Sequence, residues 1–315
     1  MHTARTSSTL THLGWATAGA LAFVAPDCLD LVSSAVAQET PPETITLTAI
    51  VRDFHGTDEP GGHADFERNK ALHAGGLTQG AVAPVLGTDG KPVFTSGTKV
   101  KKGGTAVFKQ WKDSAGRPIA FAMYDPALGD SAGEWETNAS LSAFTGGANF
   151  DQWYRDIPGV NLSTAVTLTL IRQADGTYVF DDKDDAVFKS RNGFFPIDDQ
   201  VFGNSLANDK HNYHFTTELH TRFTYDASTG QIFQFTGDDD IWVFVDGRLV
   251  IDLGGTHGPV EQFVDMTRLN LVDGKRYSLD IFHAERQTNG SNFRFQTDLF
   301  LADAGALSTI TEPFD

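Results

Sequence analysis

The chain has 315 residues, is 40% hydrophobic with 24 phenylalanines and five tryptophans, and sets 24 basic against 41 acidic residues for a net charge of −17. Such a chain buries a sizeable core, in one large domain or two small ones, and is not a disordered chain. Its acidity argues against nucleic acid as a partner, because phosphates would be repelled.

The first 37 residues read as an export signal: Arg5 near the start, an apolar segment from Leu13 to Ala25, then the small residues Ala35, Val36 and Ala37 before Gln38. That A-x-A pattern predicts cleavage after Ala37 and a secreted, extracellular protein, although Asp27 and Asp30 are unusual in such a segment. Cys28 has Asp27 beside it, which argues against a lipid-attachment cysteine; it is expected to leave with the signal. An exported domain without disulfides must be held by its core or by bound metal. No later apolar run approaches the ~18 residues of a spanning helix, and no C-terminal anchor is expected after the last apolar strand.

Residues 38–43 read as a polar linker, and the first strand is expected over Thr44 to Val51, rich in β-branched residues. Short apolar runs follow at Val93 to Phe94, Ala106 to Phe108, Ile119 to Met123, Val166 to Ile171 and Tyr178 to Phe180, separated by turn residues in the manner of a sandwich or barrel. Asp53 to Gly90 is less regular, with a short helix expected over Phe66 to Leu72 and a loop over Gly75 to Gly80. A helical turn is expected over Phe150 to Tyr154. Residues 214–225 alternate apolar and polar side chains, and after the turn Asp226 to Gly230 the run Gln231 to Thr236 is expected to pair with them as a hairpin, Phe233 and Phe235 sharing one face. Ile241 to Val245 and Leu249 to Leu253 flank Asp246-Gly247, a strong hairpin signal. Tyr277 to His283 and Phe293 to Phe300 complete the series. The strand at 241–245 is apolar on both faces, which predicts a fully buried strand with Trp242 in the core. Trp111, Trp135 and Trp153 stand in less regular segments and are open candidates for ligand contact.

The run FTGDDDIWVFVDGRLVIDLGG at 235–255, followed by YSLDIFHAERQTNGSNFRFQTDL at 277–299, resembles the fibro-slime family, a branch of the PA14 superfamily. The resemblance continues through NGFFPID and HNYHFTTELHTRFTY between 192 and 225, and more weakly through FDQWYRDIPGVN at 150–161. It is specific over 192–301 and much less so over 44–149. It implies an all-β fold, an antiparallel β-sandwich or barrel over 44–301 with loop insertions and few short helices, and a C-terminal tail at 302–315. It also implies a calcium site: in the sugar-binding members two adjacent aspartates, often joined by a cis peptide, hold Ca²⁺, a second loop adds oxygens, and the ion binds sugar hydroxyls.

Carried over residue by residue, the pair falls on Asp238 and Asp239, and Asp240 stands where many relatives have glycine. Grouped carboxylates repel one another, so a cation would offset the cost, and Ca²⁺ takes six to eight oxygens at ~2.3 to 2.6 Å. The plainer alternative is that these aspartates cap a turn and accept from backbone amides. The second loop offers Glu285, Asn289, Ser291 and Asn292 as oxygen donors, and the resemblance implies that it emerges at the same end as the aspartates. Arg286 either bonds a sugar hydroxyl or pairs with a neighbouring acid, the commoner arrangement. Asp238, Asp239, Arg286, Asn289 and Asn292 are thus the expected ligand contacts, and Asp238, Asp239, Asp240, Glu285, Asn289 and Ser291 the expected metal ligands. The glycines of DLGG-x-H at 252–257 are expected to permit a special turn, with His257 either lining a ligand site or fastening a loop. His211, His214 and His220 do not have the spacing of a zinc site. Asn289-Gly290-Ser291 spells a glycosylation acceptor and is treated as loop chemistry.

No nucleophile elbow, zinc-protease helix or phosphate-binding loop occurs, and no motif singles out a pair of glycosidase carboxylates. The expected protein is a secreted Ca²⁺-dependent carbohydrate-binding or adhesion module without catalysis, whose partners are extracellular or cell-surface glycans. The alternatives are a self-associating matrix protein in which Ca²⁺ only rigidifies loops and, more weakly, a secreted carbohydrate-active enzyme.

Overall fold

The computed structural model describes residues 41–67, 76–100, 109–206 and 210–304. The expected export signal, the strand at 106–108, the helix at 66–72 beyond Glu67 and the tail beyond Ala304 lie outside these residues. Pro42–Asp315 forms one compact unit, built from strands β1 (Thr44–Phe54), β2 (Thr78–Gln79), β3 (Lys99–Val100), β4 (Trp111–Lys112), β5 (Pro118–Ile119), β6 (Glu136–Thr137), β7 (Asn161–Arg172) and β8 (Tyr178–Asp181). Then follow β9 (Phe215–Thr224), β10 (Ile232–Gly237), β11 (Asp240–Val245), β12 (Arg248–Leu253), β13 (Val260–Asp265), β14 (Arg276–Glu285), β15 (Phe293–Thr297) and β16 (Ala302–Asp303). Helices are short, the longest described being Ala186–Arg191.

One large antiparallel sheet runs β12-β11-β14-β9-β1-β7-β8-β15-β10-β13, with β16 added beside β9. Its two end strands, β12 and β13, are consecutive in the chain and are joined through a side chain. The backbone N–H of Asp252 donates to Gln262 Oε1 at 2.8 Å, and Gln262 Nε2 donates to the Asp252 carbonyl at 3.2 Å. The Gln262 amide thus makes the pair of bonds that a peptide group would make, and the sheet is nearly closed into a barrel. Closure of this kind protects sheet edges from pairing elsewhere.

The β11–β12 hairpin turns at Asp246 (φ 50°) and Gly247 (φ 71°), the two positive dihedrals that a type I′ turn requires. The expected hairpin between 214–225 and 231–236 is not formed. β9 pairs with β14 over ten residues and with β1 over five, whereas β10 lies between β15 and β13. The Asp226 turn is present, with Ser228 N donating to Asp226 Oδ1, but turn chemistry fixes a change of direction and not the neighbour. The long register with β14 decides that.

The sheet has a core on each side. Inside, Leu47, Leu168, Phe180, Leu219, Phe233, Ile241, Val243, Ile281 and Phe295 pack together. Outside, Trp242 and Phe244 of β11 meet Phe66, Phe144, Phe150 and Trp153 from the long connection between β1 and β7. That connection is a cover packed on the outer face of the sheet. It explains why the polar positions of β9, including Thr216, Glu218 and His220, are buried rather than solvated. It also settles two of the tryptophans: Trp153 is fully enclosed with its Nε1 on Asp65, and Trp111 is buried, so neither offers a ligand surface.

Candidate functional site

Two adjacent loops form the site, and the sheet order brings them together. β10 neighbours β15 and β11 neighbours β14, so the β10–β11 step at Asp238 and Asp239 and the β14–β15 loop at 286–292 cross the same end of the barrel side by side. The approach is close: a Cβ on Gly237 would lie 2.6 Å from the Asn292 carbonyl oxygen, so that position admits only glycine. The Asp238–Asp239 peptide is cis.

Each carboxylate has a distinct set of donors. Asp238 accepts from the Asn292 backbone N–H at 2.5 Å and from Asn292 Nδ2 at 2.8 Å. Asp239 accepts from the backbone N–H groups of His257 and Arg286, both at 3.1 Å. Asp240 takes the Gly255 N–H at 2.6 Å and Arg286 Nε at 2.5 Å. Glu285 Oε1 accepts from the Arg286 and Gln287 N–H groups, while its Oε2 and Ser291 Oγ are buried without a well-formed hydrogen bond, the Ser291 hydroxyl lying near enough to the carboxylate to favour its charged form. Asn289 is exposed at the loop tip.

Arg286 lies at the centre of the cluster, completely buried. Besides Asp240 it donates from Nη1 to the carbonyls of Ala143 and Asp65, and its guanidinium rests 4.9 to 5.0 Å from the rings of Trp153 and Phe144. It therefore ties the cover to the sheet and neutralises Asp240. His257 donates from its ring to loop carbonyls at Gly258 or Leu253, which fits loop fastening. His283 Nε2 donates to the Asp238 carbonyl at 2.9 Å, and burial pushes its pKa down to about 4, so the ring is neutral.

The electrostatics are those of an acidic cluster short of positive charge. Burial raises Asp239 well above the usual carboxylate range; Arg286 opposes this, but Asp240 and Asp238 add to it. Burial likewise raises Glu285 well above its ordinary value, reinforced by the charges of Asp239 and Asp238. Burial also raises Asp238 and Asp240, against their hydrogen bonds and, for Asp240, against Arg286. A divalent cation would reverse these shifts, because ion–carboxylate attraction favours the charged form. Among the described residues no three acidic, histidine or cysteine side chains converge as a ready-made metal cage. A Ca²⁺ here would draw on Asp238, Asp239, Glu285 Oε2 and Ser291 Oγ, with backbone carbonyls and waters completing its shell.

Two acids escaped sequence reasoning. Asp182 bonds the Phe293 N–H through Oδ1, leaves Oδ2 unpartnered and is raised to about 6 by burial, with the charges of Asp181 and Asp238 adding. It sits in the run Asp181-Asp182-Lys183-Asp184-Asp185, where nothing local singles it out. Glu67 holds the second loop by accepting from Thr288 N and Oγ1, a contact across 221 residues that no short motif announces.

A PA14 domain model matches residues 195–308. Protein psiD of Dictyostelium discoideum is 32% identical over 266 residues, covering 82% of this chain and 42% of psiD. Protein psiB of the same organism is 41% identical over 152 residues, 45% of this chain and 25% of psiB. The chain thus spans less than half the length of these relatives. Among solved structures, the PA14 sugar-binding domain of an RTX adhesin shares 18% identity over 31% of this chain and 57% of that one, with a TM-score of 0.22. No helix among the described residues is long and apolar enough to cross a membrane.

Proposed function

From the premise that this chain belongs to the PA14-like superfamily through its domain at residues 195–308, we propose that it is a secreted, Ca²⁺-dependent carbohydrate-binding or adhesion module with no catalytic activity of its own. The observation that carries the reading is the buried carboxylate set Asp238, Asp239 and Glu285, mutually repelling and with raised proton affinities, beside which Arg286, the one adjacent arginine among the described residues, is bound to Asp240. Bound there, Ca²⁺ would supply a Lewis-acidic centre for a pair of sugar hydroxyls.

The protein's own residues have separable tasks in this reading. Asp238 and Asp239 hold the ion, Glu285 and Ser291 add oxygens from the second loop, and Asn292 orients Asp238. Arg286 and Asp240 are positioning residues, since both are enclosed and bonded to each other. Asn289, at the exposed tip, is the side chain free to reach a glycan.

A glycan array probed with the full chain, with calcium and then with chelator, tests this. Binding that vanishes with chelator and in Asp239→Asn, while circular dichroism stays unchanged, is the expected result. Silence across the array in calcium would rule the reading out. One observation favours a second reading, in which Ca²⁺ only rigidifies the loops of a self-associating matrix protein: Asp238, Asp239 and Glu285 are 7%, 4% and 1% exposed. In that case calcium raises thermal stability and promotes assembly without any sugar binding.

A further inference from the structure

The cover on the outer face of the sheet leaves a cleft of about 440 Å³ against β12, bounded in part by Gln79, Thr95, Lys99, Phe121, Trp135 and Asp252. None of Asp238, Asp239, Glu285 or the 286–292 loop lines it. Its volume falls in the ordinary range of small-ligand sites, about 300 to 1,000 Å³, and its make-up is theirs: an apolar wall with a few polar groups.

Three features of the lining point to a ligand. Trp135 and the half-exposed Phe121 meet edge to face at 4.8 Å, and both rest on the buried Trp111, which gives the cleft a rigid aromatic wall. The Gln79 side chain is fully buried, and neither its amide oxygen nor its nitrogen has a hydrogen-bond partner. A buried amide left unsatisfied costs free energy, and a ligand hydroxyl could both donate to it and accept from it. Finally, the Lys99 ammonium stands 4.9 Å over the Trp135 ring and, among the described residues, makes no ion pair. Asp252, at the back of the cleft, accepts from Gly80 N at 2.7 Å and Trp242 Nε1 at 3.1 Å and feels the Lys99 charge without forming an ion-pair contact with it, which leaves the ammonium's donors open to a ligand.

An aromatic wall suits the apolar C–H face of a pyranose, a free amide suits its hydroxyls, and an ammonium parked on an indole suits a carboxylate, which would draw it aside and uncover the ring. We infer that this cleft is a second, metal-independent saccharide site that takes an acidic pyranose, a hexuronate unit. It uses none of the carboxylates assigned to Ca²⁺, so the two sites stand or fall separately.

The test is a titration of the full chain in excess EDTA, by ligand-observed NMR, with the methyl glycosides of glucuronate and galacturonate and of their neutral counterparts glucose and galactose. The uronides are expected to bind about tenfold more tightly than the neutral sugars. Lys99→Met, which keeps the aliphatic stem, should erase that preference. Trp135→Ala should abolish binding of all four, and Asp239→Asn should leave it unchanged. Absence of binding in EDTA, or equal binding by wild type, Lys99→Met and Trp135→Ala, overturns the inference. Should Trp135→Ala misfold by circular dichroism, Lys99→Met alone decides. Sugar binding seen only with calcium would defeat this site and leave the aspartate site standing; binding only in EDTA-insensitive form would do the reverse.

Discussion

The protein contains two buried clusters of acids with opposite electrostatics. On the outer face of the sheet, Glu218 is bonded to Arg52 Nη1 at 2.7 Å, to Lys91 and to His220 Nε2 at 2.5 Å, while His220 Nδ1 meets Asp280 at 2.7 Å. Burial alone would raise Glu218, but these cations hold it down at about 2; burial alone would lower His220, but its two carboxylate partners raise it to about 9. At the end of the barrel, Asp238, Asp239, Asp240 and Glu285 share one arginine, and all four are raised. Both clusters are enclosed, so burial does not distinguish them. Supply of cations does. The first has its cations within the chain and fastens the cover to the sheet through Lys91 on Glu218 and through Asp156 on Arg52; the second has the electrostatic deficit that a metal ion would make good.

Several perturbations would break or sharpen that contrast. The largest effect is expected from Arg286→Met, which removes the arginine paired with the acidic cluster and the tie to Ala143 and Asp65. Loss of one partner of a buried pair costs about 3 to 5 kcal/mol, read as a lower midpoint in urea; an unchanged midpoint would mean that Arg286 does not hold the cluster.

Calcium comes next. At a hundredfold excess over the dissociation constant it should stabilise the wild type by about 2.7 kcal/mol, reversed by chelator, and should leave Asp239→Asn without a shift in Tm. Equal shifts in both proteins would place the ion elsewhere.

An effect of similar size is expected from pH at the complete cluster. The folded pKa of His220, about 9, lies above its unfolded value of 6.5. Its contribution is therefore fully present below pH 6.5 and is lost as pH rises through about 9. Thermal melts of wild type and His220→Gln should differ most at pH 6 and converge toward pH 10; a difference that grows with pH would reverse the assignment.

The smallest effect is expected from Asp239→Asn without metal. It removes one repelling charge but keeps only one of the two oxygens, Oδ1 accepting from the His257 N–H and Oδ2 from the Arg286 N–H, so relief of repulsion offsets the lost acceptor and stability should change by less than about 1 kcal/mol. A collapse of the apoprotein would show that the carboxylate is structural.

Much of the site was legible because it is local. Asp238, Asp239 and Asp240 are consecutive, and the resemblance placed the cis peptide between the first two, where it is found. The Asp246-Gly247 hairpin and the two-faced burial of 241–245 followed from dihedral preference and alternation. What escaped was set by pairing at a distance. The partners of β10 are β13 and β15, strands beyond its chain neighbours, while the buried role of Glu218 and His220 and the anchoring of the second loop by Glu67 depend on the cover between β1 and β7, whose pattern is too irregular to read.

The amino-acid sequence by itself determined an acidic all-β chain, the order of its main strands, and a cluster of carboxylates too dense to be left uncompensated. These follow from composition, from the two-residue period of strands and from repulsion between neighbours in the chain. Only the tertiary structure decided which acids are compensated. It paired Arg286 with Asp240, gave Arg52 and Lys91 to Glu218, and left Asp238, Asp239 and Glu285 without an ion-pair partner of their own among the described residues, because the reach of a charge is settled by the few ångströms between folded segments and not by their separation along the chain.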